Sequence, residues 1–275
     1  MTGLHHYVCK NENSFSFKSL RELWAFRFLL QTFVRRDIKV RYRYTLLGGL
    51  WNIIQPLCMM AIFSLVFSRI FHVETGGVPY PLFSYSVLIL WQSLSRMVTQ
   101  GGSSLSSYSH MMSKVYFPRI TVPLSVVVGA CVDFLVACPL LIGMVFIYGV
   151  PLTISLLWIP LILLLIAILG TGITLWISAM DVQFRDVRAA LPFLMQIWMF
   201  ATPLMYPISL VPAHWLWIYN LNPFVAQVEL FRWSLLGTPL PDFSYIAMSV
   251  ILSLFLFCTG LFYFQTVEGT LVDKA

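Results

Sequence analysis

Six apolar stretches, separated by charged or turn-forming residues, set the pattern of hydrophobic and polar positions along the chain. They occupy residues 51–71, 81–101, 120–148, 155–177, 189–207 and 245–264. Each stretch is long enough to cross a bilayer as an α-helix, which takes about 20 apolar residues. The pattern therefore predicts an all-α membrane protein whose core, residues 51–264, contains six transmembrane helices.

The segment before the first stretch, residues 20–43, has the periodicity of an amphipathic helix. Its apolar face holds Leu23, Phe26, Leu30, Phe33 and Val34, and its basic face holds Arg21, Arg35, Arg36, Lys39 and Arg43. This pattern predicts a helix that lies in the membrane surface, after which Gly48-Gly49 allows a sharp turn into the bilayer. Periodicity alone leaves open whether the helix anchors the chain to lipid, docks a cytoplasmic partner, or does both.

The external segment at residues 208–244 is apolar and aromatic rather than polar. Pro212 and the Asn222-Pro223 pair interrupt it. We expect short helices that re-enter or cap the outer leaflet. Their aromatic residues either form an interfacial belt or guard the exit of a pore.

The composition is that of a chain dissolved in a bilayer. Of 275 residues, 59% are hydrophobic and only 10% are charged, whereas soluble domains carry about 25% charged residues. At this length, six spans leave no room for an additional soluble catalytic domain. We therefore expect one transmembrane domain over residues 1–275, with any energy coupling supplied by another chain or by an ion gradient.

The net charge of +6 reflects basic residues that flank the apolar stretches. Of the 17 Lys and Arg residues, only Arg69 and Arg232 fall on the side opposite to the others. The positive-inside rule then places both termini, and the loops at 106–119 and 178–188, in the cytoplasm. Because the charge accounts for orientation, we expect no nucleic-acid partner.

Motifs of enzymes and metal sites are missing from the sequence, so we expect no catalytic residue and no metal site. Asp133 is the acid that we place within a span, where a charge is unfavourable by roughly 3 kcal/mol unless it faces protein or water. Without a second acid for a proton relay, a pairing with a neighbouring helix or an arginine is the favoured interpretation. For Arg96, near the inner end of the second span, the alternative is a side chain that extends towards the membrane surface.

Two cytoplasmic loops are short and charged: SHMMSKVYFPR at 109–119 and DVQFRDVR at 181–188. Local ion pairs and anchoring at the membrane edge explain these charges. The alternative is contact with a partner that pushes on the helices.

Five motifs together resemble the type-2 ABC exporter permeases for polysaccharides, such as the O-antigen, capsule and teichoic-acid exporters. They are RDIKVRYRYTLLGGLWNIIQPL at 36–57, KVYFPR at 114–119, FRDVR at 184–188, PFLMQIWMFATPLMYP at 192–207 and LNPF at 221–224. The motifs occur in the right order, and the resemblance covers most of the chain.

The resemblance implies a permease in the bacterial cytoplasmic membrane that exports a polysaccharide or lipid-linked glycan. It also implies a homodimer that pairs with two copies of a cytoplasmic ABC ATPase, which binds the ATP and Mg²⁺; the permease itself binds no cofactor. The helix at 20–43 and the segment at 106–119 would contact the ATPase. The residues expected at this contact are Arg36, Lys39, Arg41, Arg43, Lys114, Tyr116, Phe117, Arg119, Arg185 and Asp186.

By the same resemblance, spans one and five line the channel and the segment at 208–244 forms an external gate. The residues expected to line the channel are Trp51, Gln55, Trp198, Phe200 and Tyr206. Those expected at the gate are Trp215, Trp217, Tyr219 and Phe224. Aromatic faces suit a glycan because they hold the apolar side of a sugar weakly. A type-2 ABC exporter of drugs or small lipids, with a smaller and less aromatic pore, is the alternative.

Overall fold

The computed structural model describes residues 26–43, 47–108, 117–184 and 186–268. Regular secondary structure within these ranges is entirely helical, which confirms the predicted all-α fold and satisfies the backbone where a bilayer offers no water. The α-helices are α1 (Arg27–Tyr42), α2 (Trp51–Phe63), α3 (Tyr80–Gly102), α4 (Ser104–Ser107), α5 (Thr121–Ile147), α6 (Ile159–Gln183), α7 (Asp186–Phe200), α8 (Leu216–Asn220), α9 (Pro223–Leu236) and α10 (Phe243–Glu268).

In the described ranges, four helical segments are long and apolar enough to cross a membrane. They are Gly48–Ile70, Thr121–Ile147, Ile154–Gln183 and Phe243–Glu268. These segments coincide with the first, third, fourth and sixth predicted stretches. The second and fifth stretches form α3 and α7, which do not meet the same criteria: α7 has 15 residues, and α3 is long but carries many polar side chains.

Helix α3 is less apolar because it lies at the centre of the fold, in contact with α2, α5, α6, α7 and α9. Every residue from Leu82 to Trp91 is buried. Hydroxyl groups are tolerated there since each can bond to the preceding turn. Ser84 and Ser93 do so, each donating to a backbone carbonyl four residues earlier at 3.0 Å. A helix surrounded by protein therefore needs no continuous apolar surface.

Helices α6 and α10 approach each other closely at two glycines. A Cβ atom added at Gly172 would lie 2.6 Å from the backbone nitrogen of Phe257, and one added at Gly260 would clash with the carbonyl oxygen of Gly172. Small residues that bring helix backbones together are a common basis of association in membranes, where burial of apolar surface gives little driving force. Gly172 and Gly260 thus fix the distance between these two helices.

Helix α1 lies beside α5. The ring of Phe33 packs edge-on against Phe117 with the ring centroids 5.4 Å apart, and Asp37, one turn later, accepts a hydrogen bond from Ser125 at 3.2 Å. The later residue of α1 contacts the later residue of the segment around α5, so the two segments run in the same direction. The buried side of α1 is therefore mixed rather than purely apolar as the periodicity indicated. Of the predicted helix at 20–43, residues 20–25 lie outside the described residues.

We expect Gly172→Ala to destabilise the protein, since the added methyl group meets backbone atoms that cannot rotate away. Overpacking of this kind is unfavourable by about 1–3 kcal/mol. The melting temperature of the purified protein in detergent should fall by several degrees. Gly143→Ala in α5 is the matched control, because a Cβ atom there meets nothing within 4 Å. An equal melting temperature for both variants would contradict the close α6–α10 contact.

Candidate functional site

A charged cluster joins α1, α2, α3 and α5. The carboxylate of Asp133 in α5 is 5% exposed and forms ion pairs with Arg41 of α1 and Arg96 of α3, both through Oδ2. Its Oδ1 accepts hydrogen bonds from the Tyr42 hydroxyl and, at 2.9 Å, from the Asn52 amide. We call Arg41, Tyr42, Asn52, Arg96 and Asp133 the Asp133 cluster. Side chains of α1, α2 and α3 thus all bind the one buried carboxylate of α5.

The favoured interpretation of Asp133, pairing with an arginine of a neighbouring helix, is confirmed. Arg96 is paired and does not follow the alternative of extending to the membrane surface, since its guanidinium bonds to Asp133 and also donates to Asn52 Oδ1 at 3.2 Å. Arg41 was expected to contact an ATPase. Its side chain is only 19% exposed and is engaged within the chain.

A polar cavity of about 210 Å³ adjoins the Asp133 cluster. Its polar lining includes Gln55, Gln92, Ser95, Arg96, Gln100 and Asp133. Gln55, expected from the sequence to line a channel, therefore lies at this cavity, with its Oε1 3.4 Å from the Gln92 amide nitrogen. In the described ranges no three His, Cys, Asp or Glu side chains gather as metal ligands. The cavity is suited to polar or anionic groups.

A second polar contact lies one turn earlier on α1. Asp37 accepts a hydrogen bond from the hydroxyl of Tyr108, and the Arg36 guanidinium lies over the Tyr108 ring at 4.8 Å from its centroid. Burial, together with the Asp37 carboxylate, raises the pKa of Tyr108 above its usual value. Tyr108 therefore stays protonated at neutral pH and remains a donor. The contact ties α1 to the end of α4.

The charged loop at 181–188 forms a local ion pair, as the sequence favoured. Arg188 donates through Nη2 to Asp181 Oδ2 at 2.8 Å and through Nε to Oδ1 at 3.2 Å. The Ser106 hydroxyl also donates to this carboxylate. Asp186 is exposed at the start of α7. The loop thus links α4, α6 and α7.

Two residues expected to contact an ATPase, Phe117 and Arg119, are engaged inside the chain. Phe117 is 5% exposed. The backbone nitrogen of Arg119 donates to Glu268 Oε1 at 3.2 Å, and its guanidinium donates to the Glu268 carbonyl. These contacts join the start of α5 to the end of α10. Three further residues of the expected contact lie outside the described residues: Lys114, Tyr116 and Arg185.

On the opposite end of the helices, Asn222 joins two of the motifs that carried the family resemblance. Its Oδ1 accepts from the Trp198 indole N–H at 3.1 Å and from the Phe224 backbone N–H at 3.2 Å, which caps α9. Its amide nitrogen donates to the Thr202 hydroxyl at 3.0 Å. The LNPF motif at 221–224 is thereby fixed to the end of α7.

Arg232 corrects a second expectation. The sequence placed it as a flanking charge on the external side, whereas its side chain is completely buried. It donates to the carbonyl oxygens of Pro203 and Leu204 at 2.9 Å each and pairs with Glu229 at 2.7 Å. Its guanidinium lies 3.7 Å from the centroid of the Phe83 ring. This pair was not predicted from the sequence, although the spacing of Glu229 and Arg232, three residues apart in an apolar segment, is a signal that could have revealed it.

The residues expected to line a channel fall into two groups. Trp51 and Phe200 are exposed, at 46% and 56%, whereas Trp198 is partly buried and packs edge-on against Trp91 with centroids 5.7 Å apart. Tyr206 bonds to Tyr219 through the two hydroxyls at 2.7 Å. The side chains of this second group are thus held by neighbours within the chain.

The predicted short helices of the segment at 208–244 are present as two 3-10 turns, α8 and α9. Trp215 and Trp217, expected at a gate, are 51% and 63% exposed. Phe224, expected beside them, is instead buried against Trp91 and Trp198. It lies in the first turn of α9, which packs into the fold, so its ring belongs to the core.

We expect Asp133→Asn to destabilise the protein by about 3 kcal/mol, because it leaves two arginines facing each other without a counter-charge. Arg96→Gln should be milder, since one arginine still balances Asp133. The free energy of unfolding, measured in mixed detergent and SDS micelles, checks both. Asp186→Asn, at an exposed carboxylate, is the control. Equal effects of Asp133→Asn and Asp186→Asn would show that the cluster adds nothing to stability.

The chain is similar to known export proteins over most of its length. It is 31% identical over 240 residues to the O-antigen export system permease protein RfbA of Myxococcus xanthus, covering 85% of this chain and 91% of that protein. It is 29% identical over 241 residues to RfbA of Klebsiella pneumoniae, covering 87% and 92%. It is 25% identical over 247 residues to the polysialic acid transport protein KpsM of Escherichia coli, covering 87% and 93%.

The sequence profile of the ABC-2 type transporter family matches residues 29–236. The matched region runs from α1, through the Asp133 cluster and the contacts of Asn222, to the end of α9. Because the match covers well over half of the chain, the protein belongs to the ABC-2 type transporter family.

Proposed function

We propose that this chain is the permease subunit of an ATP-driven exporter that moves a polysaccharide or lipid-linked glycan across the bacterial cytoplasmic membrane. The observation that carries the proposal is the similarity, over 85–87% of the chain, to O-antigen export permeases and to a polysialic acid transport protein. The ATP and Mg²⁺ bind to a separate ATPase subunit. Two copies of each subunit form the exporter.

In this proposal the chain crosses the membrane six times, with α3 and α7 as the second and fifth spans and both termini in the cytoplasm. The 23 residues of α3 extend about 35 Å, which is enough for a hydrocarbon core of about 30 Å. Its serines at 84, 86 and 93 are buried in protein, and Arg96 pairs with Asp133, so these polar groups do not oppose insertion. The orientation is supported by the exposed basic residues of α1: Arg35, Arg36, Lys39 and Arg43.

Labelling of single cysteines tests this topology. In a variant without the five native cysteines, we expect Ser209→Cys to react in intact cells with a thiol reagent that does not cross membranes, because it is exposed on the external segment. Ser107→Cys, exposed at the end of α4, should react only after the cells are permeabilised. Reaction of both positions in intact cells would rule out the proposed orientation.

The ATPase would act on the side of α1 that faces away from the other helices. Arg35 and Lys39 are exposed there and lie four residues apart on one face. On the side that faces the other helices, α1 is held by Arg41 and Tyr42, which bind Asp133. A displacement of α1 would therefore pull on α2, α3 and α5 together. This arrangement supports a mechanical coupling between ATP-driven closure of the ATPase dimer and movement of the spans.

The glycan would pass along exposed aromatic faces. Trp51 and Phe200 are exposed on α2 and α7, and Gln55, one turn after Trp51, is exposed as well. A second copy of the chain facing these helices would close the path. Trp215 and Trp217 would lie at its outer end. Flat rings with an occasional amide bind sugars weakly, which suits a chain that has to slide.

Reversing the charge on α1 tests the coupling surface. We expect the double variant Arg35→Glu, Lys39→Glu to lose the ATPase on purification and to reduce glycan export at least about tenfold, since several cation contacts turn repulsive. Native mass spectrometry should find two copies of each subunit for the unmodified protein and the permease alone for the variant.

Arg69→Glu is the matched control for that experiment, because Arg69 is also exposed but lies on the proposed external side. It should leave ATPase binding and export unchanged. Normal export by the α1 double variant would refute its coupling role, and an unmodified permease that purifies without any ATPase would refute the proposed function.

A further inference from the structure

The Asp133 cluster has an excess of positive charge. Arg41 and Arg96 share the single carboxylate of Asp133. The nearest other acid on α1, Asp37, is one turn away and accepts hydrogen bonds from Tyr108 and Ser125 instead. Among the described residues around the adjoining cavity, the remaining polar groups are neutral. Among these described residues the Asp133 cluster therefore has one more positive than negative charge, and Arg96 is the member of it that presents a cation to the cavity.

Hydrogen-bond donors of Arg96 and of nearby amide groups remain available in the cavity. Arg96 uses Nη1 for Asp133 and Asn52. Within the part of the chain that the structure describes, its Nη2 and Nε have no protein partner, and 20% of its side chain is exposed. Amide groups of Gln55, Gln92 and Gln100 line the same cavity. A guanidinium with free N–H groups, surrounded by neutral donors, is typical of phosphate recognition.

The location suits the headgroup of a lipid. Asn52 lies in the first turn of α2, and Arg96 lies about 9 Å along α3 from its end, so the cavity is near the ends of two helices rather than at their middle. Gln55 and Gln100 are exposed, so the cavity reaches the surface of the chain. Leu50 and Trp51, which directly precede the cavity residue Asn52 in the chain, are exposed at 53% and 46%. These residues offer a surface for an acyl or prenyl chain.

We propose that the cavity between α2, α3 and α5 binds the phosphate headgroup of a membrane lipid, with Arg96 as its main partner. Basic pockets between membrane helices commonly hold lipid phosphates. The phosphate supplies the missing negative charge, and the cavity of about 210 Å³ has room for it. With the orientation given under the proposed function, this lipid would belong to the cytoplasmic leaflet. That assignment of the leaflet is the part of the inference that rests on the proposed function.

Binding to the purified, delipidated permease tests this inference. The probes are dihexanoyl phosphatidic acid, farnesyl phosphate, inorganic phosphate and, as a lipid without phosphate, dihexanoylglycerol. We expect phosphatidic acid or farnesyl phosphate to raise the melting temperature by about 3 °C or more, as ligands of the folded state do. Dihexanoylglycerol should have no effect. Preference between the two lipid phosphates shows whether a phospholipid or a prenyl lipid is the occupant.

Arg96→Gln should weaken binding of the preferred lipid at least about tenfold. Because Arg96 also pairs with Asp133, Gln92→Leu is a second variant that keeps both ion pairs; it should weaken binding several-fold at an unchanged melting temperature without lipid. Arg69→Gln is the control for removal of an exposed cation and should bind normally.

Equal binding by Arg96→Gln, Gln92→Leu and the unmodified protein would overturn the proposal. A shift as large with inorganic phosphate as with the lipids would overturn the lipid part of it, and a shift with dihexanoylglycerol would show that the chains alone bind. The permease is measured without an ATPase and without transport. Failure of lipid binding would therefore leave the proposed export function unaffected, so the two hypotheses are tested separately.

Discussion

The arrangement of the first half of the chain depends on the burial of a single carboxylate, that of Asp133. An unpaired charge of this kind in a membrane is unfavourable by several kcal/mol, so neighbouring helices have to supply cations and donors. Helix α1 supplies Arg41 and Tyr42, α2 supplies Asn52, and α3 supplies Arg96. Apolar packing has no direction and allows α1 to slide along α5. The ion pairs do not allow this sliding, because each guanidinium has to stay beside the Oδ2 atom of Asp133.

The second half of the chain is organised by an interruption of helical structure after α7. Residues 201–206 have no regular helix, and carbonyl groups freed in this way need partners wherever water is scarce. Arg232 binds the carbonyls of Pro203 and Leu204, and the Tyr80 hydroxyl binds that of Met205 at 2.8 Å. Burial of a cation is thus explained by the carbonyl oxygens around it, with Glu229 as the counter-charge.

The sequence predicted the helices that face lipid because apolar length is a local property. The stretches at 51–71 and 245–264 correspond closely to Gly48–Ile70 and Phe243–Glu268. It did not predict the partners of Arg96 or Arg232, nor the core position of Phe224, because these depend on which helices become neighbours. Periodicity describes a face of one helix and contains no information on what covers it. Asp133 was the exception, since its cost within a span required some partner.

The same physics limits how α1 can move. Sliding α1 along α5 by one turn would carry Arg41 about 5 Å away from Asp133 and leave a buried carboxylate with half of its counter-charge. Sliding is thus far less favourable than moving α1 together with α2, α3 and α5 as one unit. A force applied to the exposed basic side of α1 is consequently passed on to the central helix α3. Because α3 also contacts α7 and α9, the displacement reaches the segment that Asn222 and Arg232 hold in place.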